Sequence, residues 1–231
     1  MFIEQDYESY TEEDHYVWNK LYTRQTENLV YKTVPEFWSG ISLLEIDEKI
    51  PNIININEKL KILNGWEVIG VNGLIDDDVF FKLLGERKFP ITTWIRKKNQ
   101  IDYIEEPDMF HDLFGHVPFL ANSKYTSFLI DLSKKAKPIF ESNDKEAQYK
   151  MSRLYWYTIE FGLLKESDGN FKIYGSGIIS SYNETNRSLS NVSKKVKYNT
   201  KKLSLRFEKD SLQDFYVYIE DNLQKLNTIK Y

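Results

Sequence analysis

Glu105-Glu106-Pro107-Asp108-Met109-Phe110-His111-Asp112-Leu113-Phe114-Gly115-His116-Val117-Pro118 holds two of the three histidines in a chain of 231 residues. They stand five apart, among carboxylates and large apolar side chains. On a regular α-helix a spacing of five is about 500°, so the two rings would diverge by roughly 140°. Converging imidazoles therefore need a helix that ends between them. Pro107 suits a first helical turn, where its missing N–H costs nothing. Gly115 followed by Pro118 offers the end, because glycine accepts a left-handed cap and proline cannot continue the ladder. The spacing predicts a short helix from Pro107 to about Phe114, with His111 on its body and His116 on the turn leaving it. Taken alone, H-x4-H fits a structural pair as well as a metal pair.

A carboxylate further along bears on that choice. Between Leu154 and Leu164 a helix would be apolar nearly all round, so Glu160 has no polar face on which to reach water. A buried carboxylate is costly unless it is paired or coordinates a metal. Its turn neighbours Trp156, Tyr157, Leu163 and Leu164 supply no cation. Either Arg153 pairs with it or a divalent ion does, and two imidazoles with one carboxylate and open positions form the facial triad of non-haem Fe(II) oxygenases.

Composition narrows the class. With 41% apolar and 15% aromatic residues the chain can bury a large core as a single domain, residues 1–231. It has no run of about 18 apolar residues, and MFIEQDYESY lacks an apolar signal core, which predicts a cytoplasmic protein with no membrane partner. The absence of cysteine excludes disulfides and thiolate ligands, leaving His, Asp and Glu. A net charge of −4 argues against nucleic acid as a partner. The lysines 194, 195, 197, 201 and 202, set among Ser and Asn, predict a solvated loop. The N-x-[ST] triplets at Asn183, Asn186 and Asn191 are incidental.

In chain order, Thr11 and Asp14 form a capping box ahead of Val17, Trp18, Leu21, Tyr22 and Leu29 at helical spacing. His15, among acidic residues, reads as a surface residue. Pro35 opens a helix with Phe37, Ile41 and Leu44 inward, and Asn57 is a candidate cap for a third. Residues 66–71 read as a strand, Asn72-Gly73 as a turn, and Asp76, Asp77 or Asp78 as the cap of a helix burying Val79, Phe80, Leu83 and Leu84 and closed by Gly85. Phe89 to Ile95 reads as a strand delivering Arg96, whose planar fork suits a carboxylate. Gly175-Ser176-Gly177 permits close backbone approach, with the hydroxyls of Ser180 and Ser181 nearby. Leu212, Phe215, Tyr216, Ile219 and Leu223 leave helix and strand both open. The fold class expected is mainly α with short β-strands (α+β), one domain with an open cleft.

EEPDMFHDLFGHVPFL resembles the iron-binding signature of the aromatic amino acid hydroxylases, its bacterial branch in particular. TTWIRKKNQIDY, residues 154–163 and Tyr174-Gly175-Ser176-Gly177-Ile178-Ile179-Ser180-Ser181 resemble further blocks of that family, in its order, from about Tyr10 to about Leu223. The resemblance implies Fe(II) held by His111, His116 and Glu160, a tetrahydropterin, and O2 as co-substrate. The implied activity is hydroxylation of L-phenylalanine to L-tyrosine; tryptophan or tyrosine as substrate, or a silent metal-binding member, are the alternatives. It further implies a pterin site at Gly73, Leu74, Ile75, Phe80, Asp112 and Tyr155. Arg96 would clamp the substrate carboxylate, Pro107, Trp156 and Phe161 would line its aromatic pocket, and Ser180 would hold substrate and orient an imidazole. Asp112 and Ile104 depart from the animal pattern of glutamate and threonine, and both fit the bacterial branch. No regulatory or tetramerisation segment is recognised, so a monomer is expected. Tyr218 aligns near the substrate, where it would narrow the pocket against tryptophan.

Overall fold

Thr11 starts the helical body as the sequence predicts: its side chain accepts from the Asp14 N–H while Asp14 accepts from the Thr11 N–H. The computed structural model describes residues 2–102, 104–142, 144–201 and 212–229. A short β1 (Phe2–Ile3) precedes α1 (Glu12–Leu29), which buries Val17, Trp18, Leu21 and Leu29. α2 (Pro35–Leu44) begins on its proline. α3 (Ile53–Leu63) is capped by Asn52, not Asn57. Asn57 instead lies within the helix and mimics a strand, donating to the Val68 carbonyl and accepting the Val68 N–H, which ties α3 to β2 (Glu67–Val71).

α4 (Asp77–Gly85) follows Asp76, and its inner face is rotated from the expected one: Phe81, Leu83 and Leu84 are buried while Val79 and Phe80 are half-exposed. Gly85 does not close it; the left-handed residue is Arg87, with φ 59°. β3 (Lys88–Thr92) is shorter than predicted, so Arg96 stands on the segment beyond it. β3 runs parallel to β2 and β1 antiparallel, in the order β1-β2-β3.

The histidine segment follows as a six-residue π-turn, His111–His116, running straight into α5 (Val117–Leu120). α6 (Ser123–Phe140) is capped by Asn122 and α7 (Lys145–Tyr155) by Asp144. A second π-turn, Trp156–Glu160, ends the helix well short of Leu164, and Leu163 and Leu164 belong to β4 (Gly162–Lys165). Then come β5 (Phe171–Ile173), α8 (Ser176–Ile179), α9 (Tyr182–Leu189), β6 (Lys194–Lys197) and β7 (Phe215–Glu220), with a 3-10 turn at Leu223–Thr228. The second sheet has the order β5-β4-β7-β6. Lys194, Lys195 and Lys197 thus stand on a strand, not a loop, while Lys202 lies outside the described residues.

Aromatic packing fixes the back of the histidine segment. Phe110 stacks on Phe114 at 4.8 Å, with Trp18 of α1 edge-on to Phe110 at 5.3 Å and Phe37 of α2 edge-on to Phe114 at 5.4 Å. His111 and His116 are thereby pressed toward the opposite side. Among the described residues no helix is long and apolar enough to cross a membrane. Helices with short strands are what the sequence predicts.

Candidate metal centre

The helix does not end between the histidines, contrary to the sequence reading. It widens. A π-turn bonds residue i to i+5, so a spacing of five brings side chains back to the same side, where an α-helix would splay them. Gly115 is not a left-handed cap. It serves close approach instead, because a Cβ there would lie 2.8 Å from the Ser176 carbonyl oxygen.

The two imidazoles meet at 79°, with Nε2 to Nε2 at 3.0 Å. The second π-turn aims Glu160 at the same point: Oε1 is 3.0 Å from His116 Nε2 and Oε2 is 3.6 Å from His111 Nε2. All three donors fall within 4.8 Å of one another. The alternative partner, Arg153, stands 3.5 Å from Glu146.

Ser180 decides the chemistry of one imidazole. Its hydroxyl donates to the Ser176 carbonyl at 3.0 Å, so the 2.8 Å contact with His111 must run from Nδ1–H to the hydroxyl oxygen. That leaves His111 Nε2 as a bare lone pair facing the centre. Burial holds His111 down at about 4, against the pull of Glu160, so it is neutral near pH 7. Burial opposes the Glu160 charge, but His116, His111 and the Gly177 N–H outweigh it and hold the carboxyl below its usual range. Two imidazole nitrogens and a carboxylate oxygen, converging with no thiolate, fit a divalent ion such as Fe(II).

Other expected site residues gather around His116. Its ring is flanked by Phe89 at 5.0 Å and Tyr155 at 6.4 Å, and Phe80 sits edge-on to Tyr155 at 5.0 Å. Asp112 accepts from the Thr92 N–H at 2.7 Å and the Thr92 hydroxyl at 3.0 Å; burial raises its carboxyl to about 7 in spite of those bonds. Gly73, Leu74 and Ile75 lie on the loop before α4, with Leu74 71% exposed.

Arg96 is buried, and its fork is already engaged: Nε and Nη2 each lie 2.8 Å from an oxygen of the fully buried Asp108. Asp108 also accepts the His111 N–H at 3.2 Å. A grip on a ligand carboxylate therefore falls to Nη1 and the outer hydrogen of Nη2. The sequence reading missed Asp108, although a buried arginine demands an anion and this one lies within the histidine stretch. It also missed Phe89, for which periodicity carries no signal beyond core. Trp156 and Phe161 pair at 4.7 Å, and half-buried Pro107 leads into Asp108. Tyr218 does not join them. Its ring turns to Phe171 at 5.2 Å and to the Lys165 ammonium, so the expectation that it narrows a substrate pocket is corrected.

A helical body with short strands, two imidazoles and a carboxylate on paired π-turns defines a class. The family described as biopterin-dependent aromatic amino acid hydroxylase matches residues 6–230, and the chain belongs to it. Among individual relatives, the phenylalanine-4-hydroxylase of Chromobacterium violaceum is 40% identical over 224 residues, 94% of this chain and 73% of that protein. The crystal structure of the Chromobacterium violaceum phenylalanine hydroxylase with bound iron (III) and oxidized 7,8-dihydrobiopterin matches with a TM-score of 0.91 and 38% identity, over 97% of this chain and 81% of that one. Its iron- and phenylalanine-bound form matches with a TM-score of 0.87 over the same shares.

Proposed function

We propose that the protein is a phenylalanine 4-monooxygenase, hydroxylating L-phenylalanine to L-tyrosine with a tetrahydropterin and O2 at an Fe(II) held by His111, His116 and Glu160. The observation that carries this reading is the convergence of three donors, with Ser180 holding His111 in the tautomer a metal requires. The relative bound to iron and dihydrobiopterin, and its form bound to iron and phenylalanine, support the cofactor and the substrate. When bound, iron and reduced pterin supply the activation of O2. The chain supplies binding and orientation. Arg96, braced by Asp108, presents its outer N–H groups to the amino acid carboxylate. Trp156 and Phe161, with Pro107, offer apolar walls to the ring. Phe80 and Tyr155 give the pterin an aromatic seat beside His116, with Asp112 and the loop 73–75 at its border. A monomer acting in the cytoplasm completes the reading, testable by sedimentation and cell fractionation.

Apolar walls favour phenylalanine over tyrosine, since an unpaired buried hydroxyl costs about 1 to 3 kcal/mol. The test is a competition among phenylalanine, tyrosine and tryptophan with Fe(II) and a synthetic tetrahydropterin. The expected result is the largest kcat/KM for phenylalanine, with tyrosine as product. Faster turnover of tryptophan would overturn the substrate and keep the chemistry, and Tyr218, turned away from these residues, would not stand in its way.

A further inference from the structure

Behind Trp156 lies a buried polar chain. The Trp156 indole N–H donates to Gln213 Oε1 at 3.1 Å. An indole can only donate, so the amide must present its oxygen. The backbone of Gln213 is clamped on both sides by α9: its N–H donates to Glu184 Oε1 at 2.9 Å, and its carbonyl accepts from Arg187 Nε at 3.0 Å. Glu184 and Arg187 are one helical turn apart and so present the same face. The other carboxylate oxygen of Glu184 accepts from the Tyr216 hydroxyl of β7. Glu184 and Gln213 are each 6% exposed, where an unsatisfied charge or amide would be costly. A plain wall residue needs no such support.

We propose that Gln213 is a positioning residue for the substrate: held by Glu184 and Arg187, its side-chain oxygen fixes the plane of the Trp156 indole, and that plane sets the shape of the aromatic pocket. This rests on the reading of Trp156 as a pocket wall. The indole carries the partner ring of Phe161 at 4.7 Å, so a turn of one is felt by both walls. Gln213 is thus a determinant of amino acid selectivity that touches neither substrate nor metal.

The direct readout needs no turnover. In protein labelled with 15N at the tryptophan indoles, the chain gives five N–H resonances, of which the Trp156→Phe variant loses one and so assigns it. Gln213→Met keeps the length of the side chain and removes the acceptor, and it should shift that resonance alone. It should also raise the KM for phenylalanine by about threefold to tenfold and change the phenylalanine-to-tryptophan ratio of kcat/KM, the scale of one lost hydrogen bond. The pterin KM and the iron content should stay within about twofold, and in the Trp156→Phe background Gln213→Met should have no further effect on amino acid KM, because the coupled partner is gone. Equal losses in amino acid and pterin KM, additive with Trp156→Phe, would make Gln213 merely structural and overturn the proposal. Should Gln213→Met fail to fold, Glu184→Gln loosens the same clamp while keeping its shape; an unmoved Trp156 resonance and an unmoved amino acid KM there would overturn it equally. Failure of the functional reading shows in the wild type, which would then hydroxylate no amino acid; failure of this inference shows only in the variants.

Discussion

Glutamine at position 160 would keep the shape of the side chain and remove its charge, separating ligation from packing. Glu160→Gln should therefore fold, because a neutral amide is cheaper to bury than a carboxylate, and should lose its iron. Metal analysis of the purified variant decides this, and undiminished iron would sink the assignment. Arg96 calls for a paired experiment, since its fork already serves Asp108. Asp108→Asn leaves a buried guanidinium short of its counter-charge and should cost about 3 to 5 kcal/mol in chemical denaturation. Arg96→Lys should lower kcat/KM for the amino acid by about tenfold to a hundredfold while the pterin KM holds. If both ligands weakened together, Arg96 would be a strut for the histidine segment and no carboxylate clamp. The sequence pointed to the candidate ligands because zero cysteines and three histidines leave few nitrogen or sulfur donors, and because Glu160 sits in an apolar run. Asp108 stood in the same histidine stretch, but its pairing with Arg96 depends on the path the chain takes back from β3.

At the scale of elements, the helix starts at Thr11 and Pro35 were legible, whereas the caps expected at Asn57, Gly85 and Gly115 and the helical pitch were not. Thr11, Asp14 and Pro35 act through neighbours in sequence, so their reading needs no tertiary knowledge. The π-turns at His111–His116 and Trp156–Glu160 are closed by i→i+5 bonds, a wider turn that tests for periods of 3.6 and 2 never ask about. β6 misled for a different reason: its lysines read as a solvated loop, yet lysine is what an edge strand carries, and its partner β7 lies far along the chain. Gly115→Ala tests the pitch. Its methyl group would land on the Ser176 carbonyl and push α8 away, at about 1 to 3 kcal/mol of stability. Because α8 leads into Ser180, the same variant should release iron faster on dilution into chelator, measured beside its melting curve.

Across the whole molecule the metal would join parts that the chain keeps far apart, two imidazoles on the helical body and a carboxylate entering the second sheet. Ligand-free protein should accordingly melt lower: at Fe(II) a hundredfold above its dissociation constant the gain is about 2.7 kcal/mol, seen as a shift in Tm that a chelator reverses and Glu160→Gln abolishes. Stability should also carry a pH signature from Glu184. Burial raises its carboxyl above the usual range, partly offset by the bonds from Tyr216 and the Gln213 N–H. The folded state then binds that proton more tightly than the unfolded one, so its contribution is full below the ordinary glutamate range and is lost as pH rises through the raised value. The Tm of Glu184→Gln minus that of wild type should therefore grow as pH rises above the ordinary glutamate range, and a flat difference would contradict the assignment.

Gly115 and Gly175 have a consequence for how this centre would look to mutation. A Cβ at Gly175 would meet the Glu160 carbonyl at 2.5 Å, as one at Gly115 would meet Ser176, so at both places backbone touches backbone with no flexible side chain to yield. A library of variants scored only for cellular abundance should be intolerant at these two glycines and lenient at His111, whose replacement removes a half-buried polar ring without crowding anything. Scored for tyrosine production, the same library should turn against all three. The difference between the two maps would separate scaffold from ligand without a metal ever being measured.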